Sequence, residues 1–340
     1  MRLKHSTDGD IPIIDISPFF SGHRAKKKEV AKKIGNACET TGFLIISGHA
    51  IAQALLEHTF VSTRAFFRLD PAEKNRWCPQ GPARQRGYHP LGTRGLASTL
   101  DNDEPPDLRE SLFLGPVDNH MGAFASVPEA ATAYAPNIYP NNPPNLFDAL
   151  VTAYRAYEQL ATSLFQIFAV ALDLHEDYFA DKFDRHFSIL GCHYYPPSLG
   201  NEKVGQLRTG AHTDFGAFTI LSITDAPGGL EVYLPGNRWS PVKPPPGTLV
   251  VNLGDMMARW TNDHWMSTLH RVANPTALQR TSSERQAIGF FAHPNFDAEI
   301  SCIPSCLKSG SAPNYPGITA GEHINRKISK SQSSASSIDS

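Results

Sequence analysis

Three side chains in this 340-residue chain have the types and spacing to hold one metal ion: His212 and Asp214 in Ala-His-Thr-Asp, and His270 in Thr-Leu-His-Arg-Val. Two imidazoles and a carboxylate can occupy one face of a divalent iron and leave three octahedral positions open, which is what oxygen activation needs. His-x-Asp alone says little, because with 14 histidines in the chain about one such tripeptide is expected by chance. A second one, His175-Glu176-Asp177, does occur, within or capping a helical stretch where residues two apart point to nearly opposite sides. His212 and Asp214 instead precede the apolar, β-rich run 217–224, and in an extended segment residues two apart share a face. Chelation is therefore expected at His212 and Asp214 and not at His175 and Asp177.

The elements that must position these residues change in texture along the chain. Ile11-Pro-Ile-Ile-Asp-Ile reads as a short strand, 26–40 as an amphipathic helix with Val30, Ile34 and Cys38 on one face, 42–47 as a strand and 51–67 as another helix. Asp70 followed by Pro71 is an N-cap signal. Residues 79–145 are rich in Gly, Pro, Asn and Asp and lack periodicity, the texture of a functional lid. A long helix with an apolar stripe follows over 146–174. From 187 onward short β-rich runs recur at 187–195, 206–214, 217–224, 229–234, 248–253, 266–273 and 285–292, separated by Pro- and Gly-containing turns. That spacing predicts an antiparallel sandwich or barrel, of which the jelly roll is one form. The expected organisation is one integrated domain: a mixed N-terminal region over 1–185 with its lid, a β core over 186–310, a C-terminal helix within 311–330 and a disordered Ser-rich tail over 331–340.

Composition narrows the class. With 41% hydrophobic and 19% charged residues, the chain can bury a full core without staples. Its net charge of −2 and the lack of a Lys/Arg block point away from nucleic acid and anionic membranes as partners. The N-terminus has no apolar signal-peptide core, and the longest apolar stretch, 164–174, is too short to span a bilayer, so a cytoplasmic protein is expected. Five scattered cysteines without a Cys-x-x-Cys speak against structural zinc and against a disulfide framework.

Several motifs then coincide in order: Ile11-Pro-Ile-Ile-Asp, Thr41-Gly-Phe-Leu, His193-Tyr-Tyr-Pro-Pro, His212-Thr-Asp, Pro227-Gly-Gly-Leu, Asn252-Leu-Gly-Asp, Ser267-Thr-Leu-His-Arg-Val and Arg285-Gln-Ala-Ile-Gly-Phe-Phe. Together they resemble the isopenicillin-N-synthase-like branch of the iron(II), 2-oxoglutarate-dependent dioxygenases over nearly all of 11–330. The resemblance implies an α+β fold with a double-stranded β-helix (jelly-roll) core flanked by N-terminal and central helices. It makes His212, Asp214 and His270 the iron ligands and gives the 2-oxoglutarate carboxylate to an arginine at the last core strand. Arg280-Thr-Ser has the usual Arg-x-Ser form, but Arg285 has the expected spacing to Phe290-Phe291, so the resemblance gives the role to Arg285. Tyr195 falls at the family position that bonds the cosubstrate carboxylate, with His193 on the same face in place of a commoner asparagine. Asn252 and Asp255 match a segment that is mainly structural.

One departure follows from choosing Arg285: the usual serine two residues on is Ala287. A neutral hydroxyl bond contributes roughly 0.5–1.5 kcal/mol, so its loss weakens the keto acid by about tenfold at most, and the guanidinium can still grip a carboxylate with two parallel bonds. The ethylene-forming branch is similar in having alanine there. The leading reading is oxidation of a C–H bond of a small molecule using Fe(II), 2-oxoglutarate and O2, with succinate and CO2 released and hydroxylation, desaturation or ring rearrangement as outcomes. The rivals are an oxidase of the same fold drawing electrons from substrate or ascorbate, a zinc hydrolase and a non-catalytic binding module. Substrate contacts are expected from Arg86, Tyr88 and Arg109 in the lid and from Phe215 and Phe218 after the metal motif.

Overall fold

The computed structural model describes residues 11–80, 85–93, 95 and 105–336. Its helices are α1 (Arg24–Thr40), α2 (Gln53–Phe67), α3 (Pro71–Asn75), α4 (Leu146–Ala171), α5 (Asp255–Trp260) and α6 (Ala320–Ser336). The strands of the N-terminal half are β1 (Ile13–Asp15), β2 (Phe43–Ser47), β3 (Gly87–His89) and β4 (Glu110–Leu114). Those that follow are β5 (Ile189–Tyr195), β6 (Thr209–His212), β7 (Phe218–Ile223), β8 (Gly229–Leu234), β9 (Arg238–Pro241), β10 (Leu249–Leu253), β11 (His270–Ala273), β12 (Arg285–Ala292), β13 (Glu299–Ile300) and β14 (Ile318–Thr319).

Eight strands form the major sheet in the order β1-β2-β10-β7-β12-β5-β4-β3, and four form the minor sheet in the order β6-β11-β8-β9. Phe43, Ile45 and Val250 on the inner face of the major sheet pack with Leu230, Val232 and Leu234 of the minor sheet, so the two sheets face one another. The alternate residues Leu44, Leu190, Ile220, Val251, Ile288 and Phe290 point outward into a larger cluster with Ile34 of α1, Phe66 of α2 and Leu164 and Phe168 of α4. Because both faces of the major sheet are covered, its strands read as continuous apolar runs instead of alternating ones. The fold is thus α+β, a jelly-roll core with helices on its outer face. Gly42 makes the turn from α1 into β2 possible: its φ is +63°, and a Cβ there would stand 2.2 Å from the Met266 carbonyl oxygen.

The expected run 285–292 coincides with β12 and 229–234 with β8, whereas 206–214 and 266–273 contract to the four-residue β6 and β11. The segment expected to be an irregular lid supplies β3 and β4, which extend the major sheet beyond β5. Every residue of β4 is buried, so it offers no period-2 signal. Residues 81–84, 94 and 96–104 of that segment lie outside the described residues. The C-terminal helix begins at Ala320 and runs through Ser336, into the stretch expected to be disordered. Neither Gly nor Pro follows Gly321 in it, so nothing in the chain breaks the helix. Residues 337–340 lie outside the description.

Candidate active site

His212 ends β6 and His270 opens β11, and the two are direct cross-strand partners, with ring centroids 4.3 Å apart. Asp214 lies two residues beyond β6, where the chain turns toward β7. Its Oδ1 is 3.7 Å from His212 Nε2 and 3.8 Å from His270 Nε2, and one ligand atom from each residue lies within 4.8 Å of the others. All three side chains are buried.

The remaining polar atoms of these residues are already committed. His212 Nδ1 lies 2.8 Å from the Gly210 carbonyl and His270 Nδ1 3.0 Å from the Thr268 carbonyl. A carbonyl only accepts, so each Nδ1 carries the proton and each Nε2 keeps its lone pair. Asp214 Oδ2 accepts from Thr219 Oγ1 at 2.5 Å and from Asn252 Nδ2 at 2.7 Å. Thr219 and Asn252 are themselves paired across β7 and β10. Burial, reinforced by the neighbouring His270 imidazole, which disfavours a second positive charge beside it, pushes the His212 imidazole down to about 3. Burial opposes ionisation of Asp214, but the two imidazoles and the Thr219 and Asn252 bonds outweigh it, holding the carboxyl below its usual range. Two neutral imidazole nitrogens and one carboxylate oxygen, converging with their other atoms satisfied, form a donor set that fits a divalent first-row metal.

The other His-x-Asp differs from its expected geometry. Residues 175–177 lie in a turn past α4, and His175 Nδ1 comes within 3.7 Å of Asp177 Oδ2, yet both are exposed. Among the described residues only His212, Asp214 and His270 form a group of three.

Arg285 and Tyr195 are cross-strand partners on β12 and β5, and His193 is paired with Ala287 on the same face. Arg285 is 5% exposed; its Nη1 donates to the Ala226 carbonyl at 3.0 Å, and among the described residues it forms no ion pair. Burial pulls its guanidinium below the usual range, with Tyr195 and Asp225 acting the other way. Arg208, also buried, donates to the carbonyls of Pro227, Pro196 and Ser283. The hydrogen bonds of these two buried guanidiniums go to carbonyls, and the Arg208 guanidinium also lies over the Tyr195 ring, 5.9 Å from its centroid. Tyr195 Oη lies 3.3 Å from Thr209 Oγ1. His193 Nδ1 is 2.9 Å from Ser111 Oγ, and its ring meets Phe113 and Phe291 edge-on.

Four of the expected substrate residues are placed elsewhere. Arg86 is 1% exposed, and its guanidinium donates to the carbonyls of Gln85, Ala133 and Ala135, packed over Gly115. Tyr88 donates to Glu110, which also takes the Lys74 ammonium, a buried polar cluster on the outer face. Phe218 sits among Phe165 and Phe168 of α4, because Thr219 beside it faces Asp214 and neighbours on a strand point opposite ways. Phe215 lies under Lys327 of α6. Arg109 lies 3.4 Å from Asp107, which in turn accepts from the Gly210 amide two residues before His212. Sequence reasoning missed Thr219 and left Asn252 in a segment that is mainly structural; Asn252 is the one polar residue of β10, whereas Thr219 shares β7 with Ser222.

Residues 11–142 match the family described as non-haem dioxygenase in morphine synthesis N-terminal, and 186–294 match the 2OG-Fe(II) oxygenase superfamily. The chain is 32% identical to the 2-oxoglutarate-Fe(II) type oxidoreductase hxnY of Emericella nidulans, over 92% of this chain and 88% of that one. It is 30% identical to a homoarginine-6-hydroxylase of Oryza sativa subsp. japonica, over 94% and 96% of the two chains. Neurospora crassa T7H, solved with alpha-KG (2-oxoglutarate), superposes with a TM-score of 0.82 at 29% identity and covers 96% of each chain. The chain belongs to the Fe(II)/2-oxoglutarate-dependent oxygenases. It is a non-haem iron oxidoreductase that uses Fe(II), 2-oxoglutarate and O2 on a small-molecule substrate, and the zinc-hydrolase and binding-module readings are set aside.

Proposed function

We propose that His212, Asp214 and His270 hold the iron and that Arg285, with Tyr195, binds the distal carboxylate of 2-oxoglutarate. The observation that carries this reading is the convergence of two imidazole Nε2 atoms on Asp214 Oδ1 while both Nδ1 atoms and Oδ2 are otherwise bonded. With iron(II) and 2-oxoglutarate bound, the chemistry supplied is O2-driven oxidation of a substrate C–H bond, the keto acid leaving as succinate and CO2. The chain's own residues bind and orient. Arg285 fixes the keto acid end on, and Ala287 offers it no hydroxyl where a serine would. His193, held by Ser111 and flanked by Phe113 and Phe291, supports a place in the pocket wall.

Arg109 is the cation we assign to substrate orientation, because it pairs with Asp107, whose carboxylate holds the Gly210 amide two residues before His212, while Arg285 and Arg208 are given to the cosubstrate. It suits a compact substrate with an anionic or carbonyl oxygen. We infer a cytoplasmic enzyme without nucleic-acid or membrane partners. Five free cysteines suit a reducing compartment, the net charge is −2, and no helix among the described residues is long and apolar enough to cross a membrane.

The test is an anaerobic titration of metal-free protein with iron(II) and then 2-oxoglutarate, following the visible charge-transfer band of the iron–keto acid complex. The band is expected in the wild type, absent in His212→Ala and absent or strongly weakened in Arg285→Ala. A full band in His212→Ala would overturn the ligand assignment, and a full band in Arg285→Ala would overturn the cosubstrate assignment.

A further inference from the structure

The metal-site segment is tied to the end of the chain. Four consecutive residues, Thr213 to Gly216, are gripped from outside by α5 and α6. The Asp214 carbonyl accepts from the Asp255 amide at 2.7 Å and the Gly216 carbonyl from the Met256 amide at 3.1 Å. The carbonyl between them, that of Phe215, accepts from His323 Nε2 of α6 at 3.1 Å. Thr213 Oγ1 donates to Asp255 Oδ2 at 3.2 Å.

Asp255 is the hub of this grip. Its Oδ1 accepts from Ser267 Oγ at 2.6 Å, three residues before His270, and its Oδ2 also takes Lys327 Nζ at 2.5 Å. One carboxylate therefore touches the approach to both metal-site segments, 213–214 and 267–270, and its charge is met by a lysine of the C-terminal helix. The same lysine lies over the Phe215 ring, 5.9 Å from its centroid. A neutral turn would be held as well by an asparagine or a serine. A carboxylate bonded to two hydroxyls and an ammonium fixes all of them with charge-assisted geometry.

We propose that α6 is a positioning element for the metal centre, and that Lys327 and Asp255 are positioning residues that set the distance between Asp214 and the two histidines. The proposal rests on the reading of Asp214 as a metal ligand. A carboxylate whose backbone is free to shift by a few tenths of an ångström leaves the two imidazoles holding the metal, and supporting groups of this kind typically change metal affinity by about 10- to 100-fold when removed.

Lys327 is suited to a clean test. Its side chain is 40% exposed and Asp255 15%, and the pair lines a cavity of about 510 Å³ between α5, the loop before β11 and α6, so a neutral side chain at 327 meets open space. The probe is cobalt(II), redox-silent and coloured, titrated into metal-free full-length protein, with the d–d spectrum reporting coordination geometry and thermal unfolding run on the same samples. Lys327→Met is expected to weaken cobalt binding by about tenfold and to alter the d–d bands, with the metal-free unfolding midpoint little changed; Lys327→Arg is expected to restore most of the affinity. Asp255→Asn, as the second variant, should weaken cobalt at least as much as Lys327→Met. Wild-type affinity and spectrum in both Lys327→Met and Asp255→Asn would overturn the proposal. So would equal losses in Lys327→Met and Lys327→Arg, because the charge would then not be what positions the site. His212→Ala serves as the reference: if it binds cobalt as the wild type does, the ligand assignment itself fails, an outcome distinct from a null result at Lys327.

Discussion

Asn252 donates from Nδ2 to Oδ2 of Asp214 at 2.7 Å, on the carboxylate oxygen turned away from the two histidines. This contact, with that of Thr219, decides which oxygen is left to face the imidazoles. Asn252→Ala should leave the fold intact and weaken iron(II) or cobalt(II) binding by about 10- to 100-fold. Equilibrium titration of the metal-free variant checks this, and wild-type affinity would show that Thr219 suffices.

Ala287 stands two residues from Arg285 on the same face of β12, opposite His193. Ala287→Ser adds a hydroxyl beside the guanidinium, worth roughly 0.5–1.5 kcal/mol if it bonds the keto acid. The Kd for 2-oxoglutarate, measured anaerobically on the iron form, is expected to fall by about three- to tenfold. An unchanged Kd would mean that the cosubstrate carboxylate sits out of reach of position 287.

Arg86 braces backbone carbonyls of three residues and is absent from the site. Arg86→Ala strips charge-assisted bonds from buried acceptors and should cost about 3 kcal/mol of folding stability. Gly115→Ala should be similarly damaging, since its Cβ would lie 2.0 Å from Arg86 Cζ. In both, the affinity for 2-oxoglutarate below the unfolding transition is expected to stay at the wild-type value. A selective loss of that affinity at unchanged stability would return Arg86 to the active site.

Acid should destabilise the metal-free protein well before its carboxylates titrate. Burial pushes His212 and His293 down to about 3 and His323 to about 4, from an ordinary value of 6.5. Between those values the unfolded chain binds protons that the folded chain refuses, so stability is full above about 6.5 and is lost as pH falls toward 3 to 4. Each such group removes about 1.4 kcal/mol per pH unit within that window. Unfolding midpoints at pH 7 and pH 5 measure the effect, and His293→Phe, which cannot take up the proton, should flatten the slope.

The nearness of His212 and Asp214 was legible in sequence because residues two apart in an extended segment can share a face, whereas the pairing that brings His270 opposite His212 needed the structure. The same period also places Phe218 away from the site once Thr219 is known to face Asp214, a step that needs the neighbouring strand. Asn252 was assigned to structure because its sequence segment does not say which carboxylate it would meet 38 residues away. Arg86 read as a reachable cation in a loop-like stretch, but its partners Ala133 and Ala135 are 47 and 49 residues distant and are carbonyls, which no residue type announces. Strands β3, β4 and β9 escaped for another reason. They are short, and β4 is covered on both sides while β9 lies at an exposed edge, so neither has the in–out alternation that marks a half-buried strand.

β10 is flanked by β2 and β5 by β4, so the sheet that carries Arg285 borrows its outer strands from the first third of the chain. A fragment starting at residue 186 would retain every proposed ligand, yet two interior strands would become open edges seeking partners, and the apolar back of the sheet would lose α1, α2 and α4. Such a piece is expected to aggregate through strand pairing before it can bind anything. Trading specificity between relatives is on this architecture a matter of grafting loops into a whole chain, because its halves are not interchangeable parts.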